Sequence, residues 1–502
     1  MITFNGTNIP KLFGQDEAGK DRFRVIEITG RGPMSQNTTR LTVPGRPGSL
    51  YQSRVRPERV LGVRFFLKGQ TLERLQTRLD TLNDLLNVDG PVPIIFDDQL
   101  DQTFFGILDG TPDWQEIQDK GIGTLTFVCP DPNKYGEEQT QTINDPTGTT
   151  EGADPIINYE GTAETYPVFT AQVLTPITML QLVKDDRFMQ VGEPVDVDTI
   201  EAPEYESILA DNLSSFANWT ALVGGSTLPD GIVGGAMTTA KNASGQAFAF
   251  TPSSYGTNAN GWVGPAVKRA LSEAVQDFRV AINMSVLNKM SGVGKVAIFL
   301  ADDADNIFAG LWMEDTTASV DLNHARVALF DSQLSKQFLI DTTGERFNVY
   351  NDFEGILRLE RRGNQFFAYS AQVDQTTGAH SARDTAQPFT DGDNLYSAPL
   401  SQVIIYIAKA KDYKTFTQTA NDLSIAKINS LSANQVPYIA QSGDIITFDH
   451  AKSKLMLNGD PSLMRQIEIG SSFFNLTKGQ NLIVVNPADS VYVEAAYREA
   501  KL

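Results

Sequence analysis

The sequence predicts a mainly β protein of several domains, and three observations carry that expectation. At roughly 100–200 residues per domain, its 502 residues correspond to about three domains. Short β-branched and aromatic runs, bounded by Gly, Pro and Asn, recur along almost the whole chain. A long apolar repeat at helical spacing stands out at one place, near residues 71–88.

Residues 1–135 read as an α+β unit. Phe23-Arg24-Val25-Ile26-Glu27-Ile28 and the run Val60 to Leu67 are strand-like, and the loop Pro44-Gly45-Arg46-Pro47-Gly48 lies between them. Leu72, Leu75, Leu79, Leu82, Leu85 and Leu86 then form one apolar stripe at three- and four-residue spacing. Glu73 in the first turn suits the helix dipole, and Gly90-Pro91 ends the segment. The stripe is expected to pack on the strands around it. Further strands are expected at 92–96, 103–108 and 123–128. Residues 136–155 are polar, rich in Thr, Gly and Pro and without an apolar period, so a linker is expected there.

Residues 136–200 thus combine that linker with a short all-β stretch, and residues 435–502 are a second short all-β piece. Each is thin for a core of its own. Between them, residues 201–434 hold candidate strands every 10–20 residues, the texture of a β-sandwich or jelly roll. One stretch there, 265–278, carries Val267, Ala270, Leu271, Ala274 and Val275 at helical spacing, which leaves a short helix open beside a strand. Two undersized pieces around one self-sufficient unit suggest a domain interrupted by another.

Charge narrows the function. The net charge is −20, which excludes a general nucleic-acid binder with a basic face over the whole domain. Residues 1–135 hold 16 bases and 17 acids, whereas the rest hold 25 and 44. The one cysteine, Cys129, allows neither an intrachain disulfide nor a cysteine-based zinc site. His324, His380 and His450 are too far apart in sequence for a local metal motif, and no cofactor is expected. No apolar run approaches the roughly 20 residues of a membrane span, and the first residues lack the pattern of a signal peptide.

The order of several stretches resembles the distal tail protein family of siphophages. The loop at 44–48, the leucine helix, Phe96-Asp97-Asp98, and the run from Gly121 to Pro132 followed by Tyr135-Gly136 are similar to that family's belt domain. Asn158-Tyr159-Glu160-Gly161, leading to Tyr166-Pro167-Val168-Phe169, resembles the opening of its galectin-like domain. Gly443-Asp444-Ile445-Ile446, Asn458-Gly459 and Gly470-Ser471-Ser472-Phe473-Phe474 resemble that domain's last strands. The extra unit at 201–434 resembles the inserted jelly-roll carbohydrate-binding module of evolved members. The resemblance implies a homo-hexameric ring at the tail end, made in the host cytoplasm. It also implies a major tail (tube) protein and a tail-tip protein as neighbours, DNA passing through the channel, and host cell-wall polysaccharide as ligand.

Two groups of residues are candidates for contact. Arginines crowd residues 22–64, and Arg46, Arg54, Arg56 and Arg59 are expected at the ring interface, where the guanidinium fork pairs with carboxylates. In the insert, aromatic rings that offer a flat face to pyranose C–H groups are sought among Trp219, Trp262, Trp312, Tyr350 and their neighbours. Trp262 follows the loop Asn258-Ala259-Asn260-Gly261, and Trp312 precedes Glu314 and Asp315, whose carboxylates bind hydroxyls. Most aromatics in a sandwich are core. Asp302-Asp303-Ala304-Asp305-Asn306 offers hard oxygen donors to Ca²⁺ or forms an ordinary turn. Glu314 and Asp315 are adjacent and would point to opposite faces of a strand, and no Gly-x-Ser-x-Gly motif occurs, so no enzyme is expected. Two alternatives remain: an insert that binds another baseplate protein, and a glycan-degrading tail enzyme.

Overall fold

The computed structural model describes residues 2–502 except 111, 151, 197, 243–244, 246–247, 258–260 and 290–291. The chain is mainly β. Among the described residues the strands form a thirteen-stranded sheet, a nine-stranded and a ten-stranded sheet, and four small sheets of two or three strands.

In the first part, Arg59–Lys68 and Lys120–Cys129 pair antiparallel from Arg59↔Cys129 to Lys68↔Lys120. Leu61, Val63, Phe65, Leu67, Leu125 and Phe127 are buried at period two, as a pleated strand with one packed face requires. The helix Leu72–Leu86 lies on this core. Thr71 caps it by accepting the Arg74 N–H at 3.2 Å, and Leu75, Leu82 and Leu86 are its buried residues. Leu79 and Leu85 pack partly, and Leu72 is exposed. A five-residue helix, Ile9–Phe13, escaped the leucine-repeat argument because its signal is local. Asn8 accepts the Lys11 N–H at 3.1 Å, and Pro10 fits the first turn.

The first part of the polar segment expected to be a linker, residues 136–144, is strand. Lys134–Asn144 pairs with Val491–Lys501 along its length and touches Gln99–Leu108 through Tyr135↔Thr103. The side chains of residues 137–140 are exposed, so composition reports solvent while the backbone is laddered. A turn follows, in which Asp145 accepts the N–H groups of Thr147, Gly148 and Thr150 at 2.8, 3.1 and 2.7 Å. The thirteen-stranded sheet therefore runs without a break from the first part of the chain into the last.

The pieces on either side of 200–434 complete each other. Val168–Val173 lies between Val491–Lys501 and Ile445–Asp449. Ile156–Tyr159 pairs with Gly479–Leu482, and Met179–Lys184 with Val484–Asn486. Phe169, Leu180 and Leu182 share one core with Ile446, Phe448, Phe474 and Val493.

The chain enters and leaves the intervening region side by side, with Ile200–Ala202 parallel to Gln435–Pro437. Within it, Phe278–Leu287 is central in the nine-stranded sheet, between Thr417–Ile428 and Phe353–Arg362. Gly294–Ala301 is central in the ten-stranded sheet, between Ile307–Asp315 and Leu400–Ala410. The two sheets enclose a large apolar core that includes Val280, Ile282, Val296, Ile298, Leu311 and Ile405. Residues 266–275 are strand, not helix. A register break between Ala270 and Val275 disturbs the alternation, which is why the apolar spacing imitated a helix. This region also touches the last part of the chain: Arg358 Nη1 lies 2.7 Å from Asp460 Oδ2. A Cβ on Gly459 would stand 1.9 Å from the Gly378 carbonyl oxygen.

Candidate functional site

The arginine-rich stretch forms a projecting hairpin, Asn37–Leu41 with Leu50–Val55, in which every residue is exposed. Gly45 and Gly48 take positive φ, 81° and 80°, in the turn that carries Arg46. Arg40, Arg46, Arg54 and Arg56 all reach solvent. Large apolar side chains are exposed with them, Tyr51 at 66% and Val55 at 61%. Arg59 departs from expectation. It is 7% exposed and donates through Nε to the Pro132 carbonyl at 2.7 Å and through Nη1 to the Gly30 carbonyl at 3.0 Å, so it is held inside the chain where an interface residue is expected to face out. It sits where the strand Arg59–Lys68 enters the core, so its guanidinium satisfies carbonyls of two neighbouring loops. Burial pulls its pKa down, opposed by the neighbouring Cys129.

The second site is the outer face of the ten-stranded sheet. Alternation sends Val296, Ile298, Leu311, Met313, Val327 and Leu329 into the core between the sheets. Their neighbours Ala297, Phe299, Trp312, Ala328 and Phe330 form a smaller cluster on the opposite face. The strand Gly231–Val233 covers part of that face, pairing in parallel with Trp262–Gly264. Gly231 is required there, since a Cβ would meet the Tyr406 hydroxyl at 2.5 Å.

Lys295 organises this face. It is buried, yet its Nζ lies 2.7 Å from Glu314 Oε2 and 3.8 Å from Asp230 Oδ2. It stands 4.6 Å from the centre of the Trp262 ring and 5.6 Å from that of Trp312. Glu314 also pairs with Arg326, whose Nε donates to Asp341 at 2.8 Å. Lys336 pairs with Asp230 and lies 5.6 Å from the Trp312 ring. Burial pushes the Asp230 carboxyl up, but the Lys336 hydrogen bond and the Lys295 charge outweigh it and leave the group below the usual range. Burial likewise lowers Arg326, and the Asp341 hydrogen bond and Glu314 charge more than restore it.

Of the sugar-contact candidates, this face brings together Trp262, Trp312 and Glu314. Trp262 is half-buried, whereas Trp312 is 1% exposed and backs the face as a packed ring, stacked on Phe330. The Trp312 Nε1 finds no hydrogen-bond partner among the described residues. Residues 258–260 of the loop before Trp262 lie outside the described residues.

Asp315 and Tyr350 do not belong to this face. Asp315 points inward, fully buried, and accepts from Asn288 Nδ2 at 2.7 Å, Leu322 N at 2.8 Å and Thr317 N at 2.9 Å. Burial raises its carboxyl against those bonds. Tyr350 is also fully buried, with its hydroxyl 2.9 Å from Ser370 Oγ and 2.8 Å from the Ala382 carbonyl. Both are held inside the sandwich by these bonds and face no open surface, contrary to their expected place at a sugar site. Sequence reasoning missed Lys295, Asp230, Arg326, Lys336 and Phe338. Phe338 is 37% exposed beside Trp312, with the Arg326 guanidinium 5.7 Å from its ring.

Asp302 is spent on a turn. Its carboxylate accepts from Ala304 N, Asn306 N and Asn306 Nδ2, each at 2.9 Å. Among the described residues no cluster of three metal-ligating side chains occurs.

The family described as "Phage tail protein RIFT-related domain" matches residues 18–129, and "Siphovirus-type tail component, C-terminal domain" matches residues 409–500. The first match precedes the intervening sandwich, and the second begins within its last strands and runs through the closing part of the chain. The distal tail protein of Bacillus phage SPP1 is 30% identical over 200 residues, 38% of this chain and 76% of that protein. The chain belongs to the distal tail protein family.

Among solved structures, the crystal structure of SPP1 Dit is similar at 26% identity, covering 38% of this chain and 74% of that one, with a TM-score of 0.31. The CBM2 module of the evolved Dit of Lactobacillus casei BL23 phage J-1 is 18% identical, covers 46% and 100%, and has a TM-score of 0.38. A Bacillus licheniformis β-glucanase is 8% identical, covers 44% and 98%, and has a TM-score of 0.28.

Proposed function

We propose that this distal tail protein is a hub of the siphophage tail tip and that its insert binds host cell-wall polysaccharide during adsorption. In this reading residues 1–135 form the ring-building belt, and residues 136–200 and 435–502 form a galectin-like domain interrupted by the module at 201–434. Six copies close a ring between the major tail protein above and the tail-tip protein below, with DNA passing through the channel.

The exposed hairpin 37–55 supports the ring. A lone two-stranded ribbon is marginal in water, and one that exposes Tyr51 and Val55 beside Arg40, Arg46, Arg54 and Arg56 needs a neighbour's surface.

The observation that carries the carbohydrate reading is the half-buried Trp262 ring held against Lys295, next to the charged pairs of Asp230, Lys336, Arg326 and Asp341. A flat ring bordered by fixed donors and acceptors suits a pyranose, whose C–H face packs on the ring while its hydroxyls take the polar groups. Six weak sites on one ring give avidity, because after the first contact the others bind at high effective concentration. Catalysis is disfavoured. Glu314 is tied to Lys295 and Arg326, while Asp315 lies on the opposite face, so these two carboxylates share no substrate.

The test uses the labelled full-length protein on immobilised cell-wall polysaccharides of Gram-positive bacteria. Wild type is expected to bind, and Trp262→Ala to weaken binding at least about tenfold with unchanged thermal unfolding. Binding unaffected by Trp262→Ala would remove Trp262 from the site. Absence of binding to any preparation would favour an insert that contacts another baseplate protein. Release of reducing ends would favour an enzyme.

A further inference from the structure

A polar cleft of about 600 Å³ opens at the edge of the sandwich, and its lining shares no residue with the Trp262 face. It is built from the end of the strand Tyr205–Asp211, the loop that follows, Arg269 of Ala266–Val275, and Asp422 and Ser424 of Thr417–Ile428. Its volume lies within the usual range of small-ligand sites.

The loop is pinned at both ends, so the cleft is preformed. Asp211 accepts the Leu213 N–H at 2.8 Å through one oxygen, and Trp219 Nε1–H at 2.9 Å and the Arg269 guanidinium through the other. Phe216 stacks on the buried Phe250 ring at 4.3 Å, and Trp219 meets the same ring edge-on at 5.5 Å. The exposed side chains of Asn212, Ser215 and Asn218 line the opening.

Asp422 supplies the acceptor. Its two oxygens take one amide group, Asn283 Nδ2, at 2.9 and 2.8 Å, which leaves lone pairs for a ligand. Burial raises its carboxyl, and the Asn283 bond works the other way. The charges select among ligands. Asp211 compensates Arg269, leaving Asp422 as an uncompensated negative charge that repels a phosphate or carboxylate. A carboxylate can accept two adjacent hydroxyls at once, and the surrounding amides and hydroxyls both donate and accept.

We propose that this cleft is a second carbohydrate site, which takes an uncharged sugar unit through its vicinal hydroxyls. This rests on the reading of the insert as a carbohydrate-binding module, but not on the Trp262 face.

Saturation-transfer NMR on the full-length protein tests it with four neutral sugars (glucose, galactose, rhamnose and N-acetylglucosamine) and with glycerol 3-phosphate. The variants are Ser215→Trp, which fills the opening, Asp422→Asn and Trp262→Ala, each checked by thermal unfolding. Asp422→Asn keeps an acceptor for Asn283, so it preserves the fold while removing the charge. At least one neutral sugar is expected to bind wild type and Trp262→Ala alike, and to bind Ser215→Trp and Asp422→Asn at least about tenfold more weakly. A signal lost in Trp262→Ala alone, a signal from glycerol 3-phosphate alone, or no signal from any of the four sugars each overturns the proposal. Polysaccharide binding that still depends on Trp262 would leave the function of the module standing in all three cases.

Discussion

Arg54 and Arg59 are five positions apart, and the fold gives them opposite tasks. Arg54 projects exposed from the hairpin, whereas Arg59 is sealed between the Pro132 and Gly30 carbonyls. Arg59→Ala is expected to cost about 2 kcal/mol, because two carbonyl acceptors lose a charged donor, and a lowered Tm reads it. Arg54→Glu is expected to leave Tm unchanged and to weaken ring assembly. His450 offers a second test at this scale. Phe474 N–H lies 2.8 Å from its Nδ1, its Nε2 is buried without a partner among the described residues, and burial pushes its pKa down to about 4. The folded chain thus resists a proton that the unfolded chain accepts below about 6.5. Its contribution is full above that value and is lost as the pH falls towards 4, a loss of about 2 kcal/mol between pH 7 and pH 5. Denaturant melts at the two pH values measure it, and His450→Gln is expected to remove this part of the dependence. Sequence reading reached Trp262 but not Lys295. A lysine in Val-Gly-Lys-Val reads as surface, and its burial depends on Glu314 across the strand pair and on Asp230 far back in the chain.

Elements were legible wherever one face is buried against one core. The leucine helix and the paired strands of residues 59–68 and 120–129 show their period openly, because Leu75, Leu82, Val63 and Phe65 all meet the same cluster. Two kinds of element hid. The strand Ala266–Val275 changes phase at an irregular register, so its apolar residues imitate a helix. The strand Lys134–Asn144 buries only Ile143 and exposes residues 137–140, and it is fixed by backbone bonds that leave no mark in composition. Of the hairpin 37–55, the turn at 44–48 is legible in the sequence, whereas its two strands, exposed along their whole length, carry no apolar period to reveal them. Replacing the hairpin by a short Gly-Ser turn is expected to leave thermal unfolding within about 0.5 kcal/mol, since none of its residues enters a core. The same change is expected to abolish oligomers seen by light scattering. An unaltered oligomer would take the hairpin out of the ring interface.

At the scale of the whole molecule, charge and connectivity divide the labour. The first 135 residues are nearly neutral overall, and the acid load falls on the rest. In the proposed ring, a belt with little net charge would meet its copies without mutual repulsion, while the acid load on the other parts would keep them apart. The sequence suggests an insertion from two undersized pieces around a larger one, and the core shared by Phe169, Leu180, Ile446 and Val493 agrees with that reading. The direct contact of Arg358 with Asp460 was not legible, since it joins positions 102 apart that carry no shared pattern.

The strand Lys134–Asn144 also has a mechanical meaning. A flexible tether would absorb a pull applied at the cell surface. Here a pull on the outer part loads the row of hydrogen bonds between Lys134–Asn144 and Val491–Lys501, and the same sheet continues into the strands of the first part. In the proposed ring, attachment through the outer part would act on the belt as a lever, so that tethering to a surface and displacement of the tail tip would be one motion.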